Sequence, residues 1–241
     1  MPRFYCPQPL AVGAVIELPQ DTAHHVHVLR MAPGDGITLF NGQGGEFAAT
    51  LVELGKRRAS AEVKAFSPRE AELPYALTLA QALPEGSKMD WIVEKAVELG
   101  VTAIQPLQSQ RCVVKLSEER AAKKLAHWNA IMAAAAEQCG RNRLPHLADP
   151  ADFGPWLGQP LLHPRILLTP RATQSLSDWA RHHPAQSVTL VIGPEGGFSE
   201  AEEALACTAG VLPLSIGPRV LRTETAGLAA VAALNGIWGQ L

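Results

Sequence analysis

The residues best suited to chemistry lie in two short stretches, IGPEGGFS (Ile192–Ser199) and IGPRVLRTETA (Ile216–Ala226). In the first, Gly193, Gly196 and Gly197 let a ligand approach the main chain closely, and the free N–H groups of a loop and helix start are ready donors. No Gly-Lys-Ser/Thr follows, so this is not a triphosphate loop, and the G-x-G-x-x-G spacing of dinucleotide folds is absent. A tight strand-to-helix turn would use the same glycines, so composition alone leaves turn and binding loop equally open. The second stretch gathers Arg219, Arg222, Glu224 and two threonines before a helix. Thr223 as N-cap and Glu224 on the helix dipole explain part of it. Capping does not require two arginines, which suit an anion.

Both loops must be held by what flanks them. VTLVI (188–192) and VLPLSI (211–216) read as strands, Ser199 and Glu202 as a capping box, and Glu224–Trp238 as the closing helix. Upstream, ALTLAQAL (76–83), TAIQPL (102–107) and RILLTP (165–170) are further strands, separated by helices over Lys88–Leu99, Ser117–Cys139 and Leu176–His183. The first of these helices places Trp91, Ile92, Lys95, Ala96 and Leu99 near one face and ends at Gly100. Ser117 caps the second, which Gly140 stops. Strands alternating with helices predict an α/β fold with a parallel sheet covered on both faces. Its ligands belong at the carboxyl ends of strands, here after Leu168, Ile192 and Ile216.

The first 70 residues differ. RFYC, VIEL, GITLF, FAATLVEL and ASAEVKAF are short, partly alternating runs, with one helix over Thr22–Met31 capped by Asp21. Gly42-Gln43-Gly44-Gly45 has no helix after it and reads as a hairpin turn, not a binding loop. SPREAELP (67–74) is charged, holds two prolines and marks a domain boundary.

Of the 241 residues 47% are hydrophobic and 18% charged, which excludes general disorder. A formal net charge of −2 means that nucleic-acid binding must use a local patch, because no bulk cationic field is available. The four cysteines form no C-x-x-C and the eight histidines no H-E-x-x-H, so neither a metal site nor a disulfide framework is expected. MPRFYCPQPL lacks the apolar segment of a secretory signal, and the most apolar stretch, Ala226–Trp238, falls short of the roughly 20 residues that span a bilayer. A soluble cytoplasmic protein is expected.

VIGPEGGFSEAE followed by SIGPRVLRTETA closely resembles the signature of the 16S ribosomal RNA uracil-N3 methyltransferases, the RsmE family, within the SPOUT class of knotted methyltransferases. His24–Arg30 (HHVHVLR), Lys88–Val101 (KMDWIVEKAVELGV), Gln110–Lys115 (QRCVVK), Trp128 and Ala136–Pro145 (AEQCGRNRLP) also look like family segments, in family order. The resemblance spans essentially the whole chain, loosely over 146–187, and Glu85 stands where the family pattern has a basic residue. It implies a PUA-like β-barrel RNA-binding domain over residues 1–70 and a SPOUT-type α/β domain with a C-terminal trefoil knot over 75–241. It implies a homodimer with the active site near the subunit interface. The implied reaction moves a methyl group from S-adenosylmethionine to N3 of uracil-1498 in the 16S RNA of the small ribosomal subunit, with no metal and no membrane.

The resemblance also implies a cofactor bent among three loops: Leu168 and Thr169; Ile192, Gly193, Pro194, Gly196 and Gly197; and Ile216, Gly217, Val220, Leu221 and Thr223. Uracil N3 is a poor nucleophile until its proton is lost, so the site needs a base or a cation that stabilises the imide anion. Arg222 is the first choice for that catalytic role, with a salt bridge to Glu224 or Glu195 as the structural alternative. Glu195 is a base or an orienting group. Loop N–H groups would depress its pKa, which favours orientation. RNA contacts are expected from Arg3, His25, Arg30, Arg141, Arg143 and Arg219, and the Lys56-Arg57-Arg58 tip is either a contact or an ordinary charged turn. Two rival readings share these features: a ribose 2′-O or tRNA methyltransferase of the same class, and a non-catalytic RNA-binding or ribosome-assembly protein with a vestigial cofactor site. LRTETA and the PUA-like start count against the first, and the intact Gly193–Gly197 loop and Arg222 against the second.

Overall fold

Alternating and continuous apolar runs sort the chain into two kinds of sheet. The computed structural model describes residues 1–56, 58–160 and 163–241; Arg57, in the charged hairpin tip, lies outside the described residues. The residues group into two compact units, Met1–Glu72 with Ala133–Leu144, and Leu73–Met132 with Pro145–Leu241.

The first unit contains β1 (Arg3–Tyr5), β2 (Val15–Glu17), α1 (Gln20–Val28), β3 (Gly36–Phe40), β4 (Glu46–Leu54) and β5 (Ala59–Ser67). Phe47, Ala49 and Leu51 of β4 and Ala59, Ala61 and Val63 of β5 are buried at every second position, the period of a strand with one covered face. They join Phe4, Ile37, Leu39 and, from α1, Ala23 and Val26 in one core. The strand order is β1-β3-β4-β5-β2, parallel between β1 and β3 and antiparallel elsewhere. Among the described residues β1 and β2 stand at the two ends of this order. The Gly42–Gly45 segment joins the antiparallel β3 and β4 as a hairpin. Pro19, not Asp21, is the N-cap of α1, and Asp21 sits in its first turn. A proline is tolerated at a helix start, where its missing N–H has no helical partner to lose.

The second unit contains β6 (Leu77–Ala82), α2 (Lys88–Glu98), β7 (Ala103–Gln108), the larger part of α3 (Glu118–Cys139), β8 (His146–Leu147), β9 (Ala151–Asp152), α4 (Phe153–Leu157), β10 (Arg165–Leu168), α5 (Leu176–Arg181), β11 (Val188–Ile192), α6 (Glu200–Thr208), β12 (Leu212–Leu214) and α7 (Thr223–Ile237). The sheet runs β12-β10-β11-β6-β7-β8, with β9 also on β7, and every described pairing is parallel. All five residues of β11 are buried, as a strand covered on both faces requires. The chain moves outward from β6 through β7 to β8, then returns to the other side of β6 for β10, β11 and β12. The reversal falls between β6 and β11, and such switch points are where α/β sheets open a crevice.

Two helices correct the sequence reading. The buried face of α2 is Met89, Ile92, Val93, Ala96 and Val97, while Trp91 is 45% exposed. That stripe keeps helical spacing without including the charged Lys95. The helix is tied to α3 by Asp90, which accepts from Trp128 Nε1 at 2.9 Å and meets His127 Nε2 at 3.0 Å. In α7, Arg222 is the N-cap and Thr223 the first helical residue. The hydroxyl of Thr223 is engaged elsewhere, as described below. Gly227, Leu228, Val231 and Leu234 bury the inner face of α7 in a helix that contacts α2, α5, β6 and β11. No helix among the described residues is long and apolar enough to cross a membrane.

Candidate active site

The loops after β10, β11 and β12 and the first turn of α7 surround a cleft of about 250 Å³ at the carboxyl end of the sheet. Its wall brings together Leu168 and Thr169, the run Ile192–Gly197, and Ile216, Gly217, Val220, Leu221 and Thr223. Arg219 also lines it; Arg222 does not. Sequence reasoning missed Arg111, Pro170, Arg171, Phe198, Glu203 and Ala226, which complete the wall. For Arg111 a signal existed, the QRCVVK segment at the end of β7, whereas Pro170 and Arg171 follow RILL with no motif to mark them.

The Gly193–Gly197 loop is held by three side chains and one main-chain N–H from other segments. Thr223 Oγ1 donates to the Gly193 carbonyl at 2.6 Å. Arg111 Nη1 donates to the carbonyls of Gly196 at 2.7 Å and Phe198 at 3.4 Å. Lys88 Nζ and the Glu85 N–H, the latter at 3.0 Å, both donate to Glu195 Oε1. The loop then runs into α6, where Ser199 and Glu202 form the expected capping box. The Glu202 side chain is buried and also accepts from the Gln110 N–H at 2.8 Å. A Cβ added to Gly193 would stand 3.1 Å from main-chain atoms of Gly197 and Phe198, so only glycine lets the loop fold back on itself.

Burial pushes the Glu195 carboxyl up, but hydrogen bonds from Lys88 and from the N–H groups of Glu195 and Glu85, with the Lys88 charge, outweigh it. The net result is a carboxyl held below the usual glutamate range, an acceptor and not a proton carrier near neutrality. The partner of Glu195 is therefore Lys88 and not Arg222.

The Ile216–Arg222 loop follows another plan. Arg219, Val220 and Arg222 are exposed, Val220 at 81%, and among the described residues no ion pair engages either arginine. Gly217 adopts φ +117° with open space where a Cβ would be. Left-handed backbone of that kind strains any L side chain, so this turn depends on glycine.

The remaining expected RNA contacts divide. Arg3 is largely buried, paired with Glu46 and donating to Asn142 Oδ1 at 2.6 Å. Arg141 is 3% exposed and hydrogen-bonded to Glu72 through Nε at 3.0 Å and through Nη2. Both guanidiniums are engaged inside the first unit, each by a partly buried carboxylate. His25 is exposed and edge-on to Phe4. Arg30 is exposed with φ +54°, and Arg143 is half-exposed beside Glu70 at 3.2 Å. No cluster of metal-ligating side chains occurs among the described residues.

Comparison with known proteins places this architecture. Residues 71–235 match the RNA methyltransferase domain family and residues 18–64 the RNA methyltransferase PUA domain family. The chain is 32% identical to the ribosomal RNA small subunit methyltransferase E of Buchnera aphidicola, covering 100% of this chain and 98% of that protein. It is 33% identical to the enzyme of the same name from Bacillus subtilis, covering 90% and 87%. The crystal structure of ribosomal RNA small subunit methyltransferase E from Neisseria gonorrhoeae bound to S-adenosyl methionine superposes with a TM-score of 0.91 at 41% identity, covering 99% of this chain and 98% of that one. With matches along essentially its full length and a cleft walled by its two signature loops, the chain belongs to the ribosomal RNA small subunit methyltransferase E family of RNA methyltransferases.

Proposed function

We propose that this RNA methyltransferase moves a methyl group from S-adenosylmethionine to N3 of a uracil, uracil-1498, in the 16S RNA of the small ribosomal subunit. One observation carries the reading: a strand-end cleft walled by three loops lies beside two exposed arginines, Arg219 and Arg222, that pair with no carboxylate among the described residues. The residues fit the cofactor, because Gly193 lets the first loop fold back on itself and Gly217 leaves open space at the cleft wall. Leu168, Gly193, Gly197, Ile216 and Leu221 would hold adenine and ribose through main-chain groups. When bound, S-adenosylmethionine supplies an electrophilic methyl group on a sulfonium.

Within this reading Arg222 favours the N3 anion by placing a guanidinium beside it, and Arg219 takes a phosphate. Glu195, with its depressed pKa, orients groups in the wall and does not act as base. Residues 1–70 form the RNA-binding domain, with His25 and Arg30 among its contacts, and residues 75–241 a SPOUT-type methyltransferase domain with a trefoil knot, to which Arg143 adds a further RNA contact. The parallel sheet and its reversal between β6 and β11 support that class. The protein works as a cytoplasmic homodimer with its site near the subunit interface.

Isothermal titration with S-adenosylmethionine tests the cofactor, and mass mapping of 16S RNA from a strain lacking the gene tests the base. Loss of one N3-methyluridine is expected. An unchanged methyluridine inventory would overturn the reading.

A further inference from the structure

Gln81 sits next to the end of β6 and is 0% exposed. A glutamine wholly buried beside Leu79, Ala80 and Ala82 is costly unless its amide is used. Its register partner on β11 is Ile192, the residue before Gly193, and this strand pair is the one at which the sheet order reverses.

The amide is used in one direction only. Gln81 Nε2 donates to the Ala82 carbonyl and to Thr223 Oγ1, each at 2.9 Å. Thr223 Oγ1 donates to the Gly193 carbonyl at 2.6 Å. Both carbonyls can only accept, so the single hydroxyl proton must go to Gly193 and the hydroxyl must receive from Gln81. Gln81 Oε1 is left without a hydrogen-bond partner. An apolar residue would avoid that orphaned oxygen, so what the position requires is the donor. Gly227 belongs to the same device: a Cβ there would stand 3.0 Å from Leu79 and 3.3 Å from Ile192, and its absence lets α7 lie close enough for Thr223 to reach.

We propose that Gln81 is a positioning residue for the methyl-donor cleft, acting through Thr223 to fix the Gly193 carbonyl and with it the Gly193–Gly197 wall. The proposal rests on the reading that this cleft takes S-adenosylmethionine. The Thr223 hydroxyl, spent inside the protein, then serves the wall and not the ligand.

Titration of the full chain with S-adenosylmethionine reads the relay without RNA. Thr223→Val keeps the shape and loses the hydroxyl, Thr223→Ser keeps the hydroxyl, and Gln81→Met removes the donor at similar length. Kd is expected to rise at least about tenfold in Thr223→Val and Gln81→Met, and to stay within about threefold in Thr223→Ser. The double variant Gln81→Met with Thr223→Val should bind no more weakly than the worse single one, because both changes break one chain of bonds. A purely structural role would lower the Tm of the variants while leaving Kd at the parent value. That result, or additive losses in the double variant, overturns the proposal. If Gln81→Met does not fold, equal Kd for Thr223→Val and Thr223→Ser overturns it alone. Absence of binding by the parent chain would overturn the functional reading and this proposal together, whereas a binding parent with unmoved variants overturns only this proposal.

Discussion

The two loops that frame the cleft are built on opposite plans. In Gly193–Phe198, carbonyls and a carboxylate are gripped by Thr223, Arg111 and Lys88, side chains that come from three other segments. In Ile216–Arg222, exposed side chains project from the turn and their cations carry no ion pair among the described residues. Main chain that recognises a ligand by shape must be immobilised beforehand, since any freedom left in it is lost on binding. A cation meant for charge that arrives with the substrate must stay uncommitted, since a resident carboxylate would compete for it. Substitutions in the first loop should therefore change affinity for the methyl donor, and substitution of the second loop's uncommitted arginine outside the cleft wall, Arg222, should change turnover.

The largest effect is expected at Arg222. Arg222→Ala should lower methyl transfer by about a hundredfold or more at saturating S-adenosylmethionine, the scale of losing one charge-stabilising group. Its Kd for the donor should stay within about threefold, because Arg222 lies outside the cleft wall. Single-turnover assays with titration alongside separate the two. Normal turnover at saturation with weakened donor binding would erase the division between the loops.

Gly193→Ala should show the opposite profile. Its Cβ meets main chain at 3.1 Å, which cannot swing away as a side chain can, so the loop must shift. Donor Kd should rise at least about tenfold. Val220→Ala, a similar small change on an 81% exposed side chain in the other loop, should leave the thermal midpoint unmoved. Arg111→Met should come next, weakening donor binding by about fivefold, since two carbonyl contacts are lost while Arg171 still donates to Phe198 at 3.4 Å. An Arg111→Met protein with parental affinity would mean that the grip on this loop is decorative.

This difference between the loops was only half legible in the sequence. Glycine spacing and the capping residues Ser199 and Glu202 are local, so the course of the first loop could be read directly. What grips it could not, because Gln81, Lys88 and Arg111 reach it only after the sheet has formed. The strands of the parallel sheet were legible as uninterrupted apolar runs, but β8 and β9, two residues each, are too short to leave a pattern. Charge was legible and its commitment was not. Arg3 and Arg141 look as available as Arg219 in the sequence, yet Glu46 and Glu72, distant in the chain, claim them. Trp91 misled because a large apolar residue outweighs its neighbours in a periodicity count, while the stripe that packs is the smaller Met89, Val93 and Val97.

The smallest effect concerns pH. The Glu195 carboxyl lies below the usual value of 4.5, mainly through its bond from Lys88 set against burial. A depressed carboxyl stabilises the fold above its unfolded-state pKa and loses that contribution as pH falls through the lower folded value. The Lys88–Glu195 clasp should thus be fully present at neutral pH and fail only below about 4.5. Removing the cation with Lys88→Met lets the Glu195 pKa rise toward its unfolded value, so the variant loses less stability on acidification and its acid limb of Tm against pH should be shallower than the parent's. The difference between the two curves reads the loss of the Lys88 cation, whose strongest partner is Glu195 and whose charge also reaches Glu224 and Glu85. Both side chains are about a third exposed, at 32% and 34%, so solvent and salt screen them and the change in donor Kd at pH 7 should stay within about twofold. Superimposable acid limbs would show that the Glu85 N–H and the other main-chain donors hold Glu195 unaided, and the first loop would then be pinned by main chain and Arg111 instead of by an ion pair.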